Sequence, residues 1–291
     1  MLGRLVAVML AMSAVFAGCV ASSNDHNATS VVTKRVIRTN RVAAAPTTTT
    51  VAPTSSSVPA PRVATERVSG PVVARSPRPA PPAWAHFSGQ LTGGNYIVAR
   101  ALGGGLNVSV TSDVAPAITL ANPLRSGAPR VVLVVQDAGD WLQVLVPVRP
   151  NDSLGWIRRS DVELSTVHYR VEINRAAHRM QLFDGNDNVI MDEPAAVGKA
   201  STPTPVGQFF AVELLQTSNP GGAYGPYAFT LSAYSDVYQT FGSGDGAVGM
   251  HGTNEYGSVG TDASHGCVRL HNDVITRLAG MLPLGTPVFI R

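Results

Sequence analysis

The sequence predicts a mainly β protein, with two β modules following a long segment that has no core of its own. Three observations carry this expectation. Residues 19–86 are rich in runs such as Pro46-Thr47-Thr48-Thr49-Thr50, Pro53-Thr54-Ser55-Ser56-Ser57 and Pro77-Arg78-Pro79-Ala80-Pro81-Pro82. Prolines and small polar side chains bury too little apolar area to offset chain entropy, so this stretch is expected to be a tether. Beyond it, short apolar runs alternate with Gly, Asn, Asp and Pro, the pattern of strands and turns. Such runs lie at 131–135, 141–148, 169–173, 180–183, 189–191, 208–215 and 287–290. Helical periodicity is scarce. The one good candidate is Asn272 to Met281, with Asn272 as its expected cap, Asp273 in its first turn and Gly285 past its end.

The first residues set the expected compartment. Arg4 precedes an almost unbroken apolar run from Leu5 to Phe16. A spanning helix needs about 20 residues, so residues 1–18 are expected to be a signal peptide. Phe16-Ala17-Gly18-Cys19 resembles a lipobox, which implies cleavage before Cys19 and a diacylglycerol on its thiol. Such an anchor holds firmly to a bilayer. A plain signal peptide with an incidental cysteine is the alternative.

The net charge of +3 is unevenly placed. Lys34, Arg35, Arg38, Arg41, Arg62, Arg67, Arg75 and Arg78 make the tether basic, against Asp25 and Glu66, while residues 87–291 are net acidic. A basic tether is attracted to anionic lipid or polymer. With no basic folded face and no binding motif, nucleic acid is not an expected partner.

Residues 87–165 form the first expected module. Asp140-Trp141-Leu142-Gln143-Val144, a polar hairpin at Pro150-Asn151-Asp152-Ser153 and a closing Gly155-Trp156-Ile157 strand resemble a bacterial SH3-like β-barrel. In exported proteins that resemblance implies a glycan- or peptide-binding module. The alternative is a spacer whose Trp141 and Trp156 are simply core.

Chemistry concentrates in the second module, residues 167–291. Cys267 is the one cysteine beyond Cys19, and it lies in Ser264-His265-Gly266-Cys267-Val268-Arg269-Leu270. A lone thiol on an exported chain, flanked by glycine and with two histidines nearby, suits a nucleophile better than a packing residue. Acyl transfer also needs a base and oxyanion donors. A free thiol titrates near 8.5, and a neighbouring imidazole is expected to raise its thiolate fraction. His251, in His251-Gly252-Thr253-Asn254, is the candidate base. Gly252 lets the chain fold tightly behind it, and a carbonyl in that turn is expected to fix its tautomer. His265 is expected to shape the pocket or the electrostatics of the thiol. Gly266 is expected to adopt an unusual backbone conformation that turns its own N–H and that of Cys267 toward an oxyanion, with the helix at Asn272 adding its dipole. Ser264 is expected to support the loop. Arg269 either grips a substrate carboxylate or holds the loop through an internal ion pair. Tyr224, Tyr227 and Asn254 are candidate lining residues. A zinc site from His251, His265, His271 and Cys267 is disfavoured, since His-X-Cys is poor zinc spacing.

Three segments, Pro203-Thr204-Pro205-Val206-Gly207-Gln208-Phe209, His251 to Asn254, and Ser264 to Leu270, together resemble the L,D-transpeptidase (YkuD-like) catalytic domain, in order and across the whole module. That resemblance implies a β-sandwich with a short helix after the catalytic cysteine, and peptidoglycan stem peptides as substrates. It implies a Cys267 thioester formed with release of D-Ala, resolved into a 3→3 cross-link. It also implies carbapenem-type covalent inhibitors and no metal or organic cofactor; the lipobox at Cys19 adds an expected place on the outer face of the cytoplasmic membrane, facing the cell wall. Hydrolysis of the same thioester, an L,D-carboxypeptidase, and an inactive wall-binding scaffold are the alternatives. Wall hydrolases of the NlpC/P60 type place the cysteine well before the histidine; here only His271 follows Cys267.

Overall fold

The computed structural model describes residues 82–240 and 244–291. The expected signal peptide, the lipobox at Cys19 and all of the tether up to residue 81 lie outside the described residues.

The N-terminal half contributes β1 (Ala85–His86), β2 (Tyr96–Ala101), β3 (Gly105–Val108), β4 (Ile118–Ala121), β5 (Val131–Ala138), β6 (Trp141–Leu145), β7 (Ser153–Arg158) and β8 (Val162–Val167). Six of these form one sheet in the order β1-β7-β6-β5-β2-β8, and β3 pairs with β4 as a ribbon. Its core is Val98, Leu106, Leu133, Leu142, Val144 and Ile157 with their neighbours. Trp141 is not core: its ring is half-buried, covered by the Arg158 guanidinium at 3.8 Å, and Nε1–H donates to Asp113 Oδ1 at 2.9 Å.

The folded part begins earlier than the sequence suggests. Trp84 is 7% exposed within the core, and Ala85 and His86 pair with Leu154 and Ser153. The indole packs over Gly155, where a side chain would meet it. One buried aromatic side chain therefore brings residues 82–86 into the fold despite their composition.

The C-terminal half contributes β9 (Arg170–Asn174), β10 (Arg179–Phe183), β11 (Val189–Pro194), β12 (Val197–Gly198), β13 (Gly207–Gln216), β14 (Tyr227–Tyr234), β15 (Ala247–His251), β16 (Asp262–Ser264), β17 (Val268–Arg269), α1 (Asn272–Met281) and β18 (Pro287–Ile290). Eight of the strands form a sheet in the order β11-β10-β9-β18-β13-β14-β15-β17. Among the described residues the architecture is mainly β, with one short α-helix just after Cys267.

β13 and β18 explain why the two halves pack as one. Successive residues of a strand point to opposite faces. Phe209 and Ala211 enter the core beneath α1, while Phe210 and Val212 enter the core of the N-terminal sheet. β18 does the same, with Val288 and Ile290 on one side and Phe289 on the other. Both strands are buried on both faces, and so read as unbroken apolar runs. α1 closes the far side with Val274, Ile275 and Leu278.

α1 begins where the sequence places it, but the cap differs. His271 is the capping residue and makes no side-chain bond to the first turn. Asn272 instead turns toward the loop after β15: Oδ1 accepts from Thr253 N–H at 2.8 Å, and Nδ2 donates to Tyr256 Oη at 3.0 Å. The side chain thus ties the start of the helix to the His251 turn.

Candidate active site

β15 and β17 run parallel, with Met250 opposite Val268 and His251 opposite Arg269. This register sets Cys267, just before β17, beside Gly249. The strand period puts Val248 and Met250 into the core and leaves Ala247, Gly249 and His251 on the opposite face. His251 and Cys267 therefore rise on either side of a glycine. A side-chain carbon placed on Gly249 would lie 3.6 Å from His251 Cδ2 and 3.8 Å from Cys267 Sγ. The ring and the sulfur flank one small empty space.

Gly249 also contributes its backbone, its N–H donating to Cys267 Sγ at 3.4 Å. The sequence reasoning missed this residue, because a glycine carries no side chain to point to chemistry. Gly249→Ala is expected to fold, since the added methyl would sit at ordinary contact distances. It would also stand between ring and sulfur, and a misplacement near 1 Å costs roughly 10- to 100-fold in rate. Steady-state kinetics with a stem-peptide substrate, alongside a melting curve, would check this.

His251 is 4% exposed. Its Nδ1 lies 2.6 Å from the Gly252 carbonyl, which accepts from it and leaves Nε2 as the acceptor. Gly252 has to be small, because a side chain there would collide with Asn272 Oδ1 and approach Gly225. Tyr224 covers the imidazole, with ring centroids 4.7 Å apart. Burial pushes the His251 pKa down to about 4; the Gly252 carbonyl opposes that shift and the Arg269 cation adds to it. Burial likewise pushes the Cys267 thiol above its ordinary value, against the Gly249 N–H and Arg269. Both shifts favour the uncharged forms of thiol and imidazole, whereas the sequence suggests an enriched thiolate. Desolvation of both charged forms outweighs the stabilisation from neighbouring donors.

The shift has a consequence for stability. In the unfolded chain His251 titrates near 6.5, so above that pH the ring is neutral in both states and stability is full. As pH falls from 6.5 toward 4 the unfolded chain takes up the proton first, and up to roughly 3 kcal/mol is lost. The melting temperature is expected to fall across that window, and His251→Gln is expected to flatten this part of the curve.

The loop between β16 and β17 holds the cysteine. Gly266 has φ +119, a conformation that favours glycine. Ser264 Oγ donates to the Cys267 carbonyl at 2.6 Å and accepts from Gly266 N–H at 3.0 Å. Of the two oxyanion donors expected from sequence, Gly266 N–H is thus already engaged. Arg269 donates to Glu255 Oε2 at 2.6 Å, with 16% of its side chain exposed, so the ion pair is formed while the residue still borders the cysteine cavity. His265 is exposed on the rim, its Nε2 3.4 Å from Lys199 Nζ. Tyr227 and Asn254 do not line the cavities around the pair. His271 stacks on Tyr256. Among the described residues, no group of three or more His, Cys, Asp or Glu side chains is arranged to hold a metal ion.

Two cavities meet at the pair. One of about 190 Å³ is bounded by Ser235, Tyr238, Val248, His265 and Arg269. The other, about 610 Å³, is bounded by Glu213, Leu215, Thr217, Phe229 and Gly249. Cys267, His251, Tyr224, Gly246 and Ala247 border both. A thiol and an imidazole of fixed tautomer, reached from two sides, suit two-step acyl transfer: one chain delivers the acyl group and a second reactant removes it.

A β fold with such a cysteine–histidine cleft defines a class of acyl-transfer proteins. The sequence matches the family model for the L,D-transpeptidase catalytic domain, YkuD, over residues 168–290. Two curated relatives, from Bacillus licheniformis and Bacillus subtilis, are provisionally named L,D-transpeptidase YkuD. Each is 35% identical over 125 residues, which is 43% of this chain and 67% of the relative. The chain belongs to the L,D-transpeptidase (YkuD) family. Among solved structures, an L,D-transpeptidase from Mycobacterium smegmatis is similar at 17% identity and TM-score 0.36, covering 55% of this chain and 90% of that one. A Bdellovibrio bacteriovorus structure, Bd1075, is similar at 28% identity and TM-score 0.35, covering 42% and 47%.

Proposed function

We propose that the protein is a peptidoglycan L,D-transpeptidase in which Cys267 is the nucleophile and His251 the general base. The observation that carries this reading is the parallel register that sets both side chains beside Gly249 at the junction of two cavities. A tetrapeptide stem seats with the carbonyl before its terminal D-Ala above Sγ. His251 Nε2 takes the thiol proton as sulfur attacks that carbon. The tetrahedral oxyanion is held by Cys267 N–H, since Gly266 N–H serves Ser264. Collapse breaks the C–N bond; the imidazolium gives its proton to the departing D-Ala amine and leaves a thioester. The amine of a second stem then attacks the thioester carbon, loses its proton to His251, and expels the thiolate. The thiolate recovers that proton, and a 3→3 cross-link is formed. Every proton lost is returned, so no cofactor is consumed.

Two cavities, rather than one, favour an amine acceptor over water, which needs no second site. An export signal and a lipid anchor at Cys19, followed by a basic tether, would fit this substrate, since they would hold the enzyme at the membrane and let it reach the wall. The N-terminal β module would then face the same polymer as an SH3-like binding unit. Carbapenems are expected to acylate Cys267.

Purified protein incubated with tetrapeptide muropeptides, with products read by mass spectrometry, tests the reading. Cross-linked dimers with released D-Ala are expected. Release of D-Ala without dimers would make the protein a carboxypeptidase, and unchanged muropeptides would contradict the reading outright.

A further inference from the structure

Arg149 lies in the N-terminal half, in the turn between β6 and β7, yet its partners belong to the catalytic half. Nη1 donates to the Asp245 carbonyl at 2.9 Å; Nη2 donates to the Tyr238 carbonyl at 2.8 Å and the Ser235 carbonyl at 3.3 Å. The guanidinium lies 4.5 Å from the centre of the Tyr234 ring. Gly246 is packed against it, since a side chain there would lie 2.8 Å from Nη2 and collide with the Tyr238 carbonyl. The same turn pins β14: Asn151 Nδ2 donates to the Tyr234 carbonyl and Asn151 Oδ1 accepts from Tyr234 N–H, both at 2.8 Å. Tyr234 Oη donates to the Pro147 carbonyl at 2.9 Å.

The three carbonyls gripped by Arg149 have one property in common. Ser235 and Tyr238 border the cavity on one side of Cys267, and Asp245 borders the cavity on the other. Gly246, against the guanidinium, borders both. Ser235, Tyr238 and Asp245 lie between β14 and β15, in the described stretches 235–240 and 244–246 that have no regular strand structure, so their carbonyls need partners. A planar fork of fixed donors holds several carbonyls in one geometry, whereas the three donors of an ammonium rotate on a flexible stem.

We propose that Arg149 is a positioning residue: from outside the catalytic half, it sets the walls of the two cavities against which the stem peptides lie. This rests on the transpeptidase reading for the identity of the substrate. The guanidinium does not touch the thiol or the imidazole. Its loss should therefore loosen substrate binding without altering the chemistry of Cys267.

The test compares Arg149→Ala, Arg149→Lys and Asn151→Ala in the full chain. Asn151→Ala loosens the same contact between halves but leaves the three carbonyls gripped. Arg149→Ala is expected to raise KM for a tetrapeptide muropeptide about tenfold with little change in kcat, a modest misplacement of the site. Arg149→Lys should recover only part of this. The rate of Cys267 alkylation by iodoacetamide, read on its peptide by mass spectrometry, should match the wild type. A wild-type KM in Arg149→Ala, or a KM change equal to that of Asn151→Ala, would overturn the proposal. Should the wild type itself leave muropeptides untouched, the transpeptidase reading fails, and amide hydrogen exchange then decides on the clamp. Faster exchange at 235–238 and 245–247 in Arg149→Ala than in Asn151→Ala supports it; equal protection overturns it.

Discussion

Cys267→Ser is expected to lose about four orders of magnitude or more in kcat/KM for cross-link formation, while keeping the wild-type melting temperature within a few degrees. The substitution changes one atom in a half-buried site and makes no cavity, so the fold has little reason to respond. The chemistry responds strongly. Burial already pushes the thiol above its ordinary pKa, and a hydroxyl in the same place would be far harder to deprotonate. An imidazole whose pKa is held down to about 4 is a weak base and cannot bridge that gap. The serine variant is also expected to resist carbapenem acylation, which intact mass measurement would show.

His251→Gln is the second large effect. Removing a general acid–base group typically costs 10²–10⁴-fold, and about 10³-fold is expected here. Glutamine fills much of the volume under Tyr224, so the loss would be chemical and not steric. The resting state should differ from that of a stored ion pair. Alkylation of wild-type Cys267 by iodoacetamide should climb steadily from pH 7 to pH 9, as expected for a thiol whose pKa is raised. A thiolate–imidazolium pair would instead give a plateau reaching well below pH 7. The acid limb of kcat/KM should show an apparent pKa of about 4, the value to which burial holds the free His251 ring.

Much of this was legible in the residues. Helix α1 matches Asn272 to Met281 at both ends, because one amphipathic segment in a β-rich chain has few competitors. The unbroken run Phe209-Phe210-Ala211-Val212 marked a strand, and its lack of alternation already encoded burial on both faces. The polar turn at 150–153 was legible as a hairpin, but its grip on the other half was not, since Asn151 makes it with the backbone N–H and carbonyl of Tyr234. Trp84 shows the limit of composition: a single buried indole anchors residues 82–86, which the sequence assigns to the tether, to the fold. Asn272 shows the limit of local rules, because a long-range bond to Thr253 N–H displaced the expected cap. Gly249 was invisible for the opposite reason, its role being to leave space and offer an N–H.

What happens to the sulfur of Cys267 during turnover is open to direct measurement. Wild-type protein mixed with a tetrapeptide donor and no acceptor amine, quenched in acid within the first turnover, can be digested and read by mass spectrometry. The expected result is a tripeptide stem joined by thioester to the peptide bearing Cys267, formed far more slowly in His251→Gln. An acyl group found on any other residue, or equal rates of formation with and without the imidazole, would contradict it.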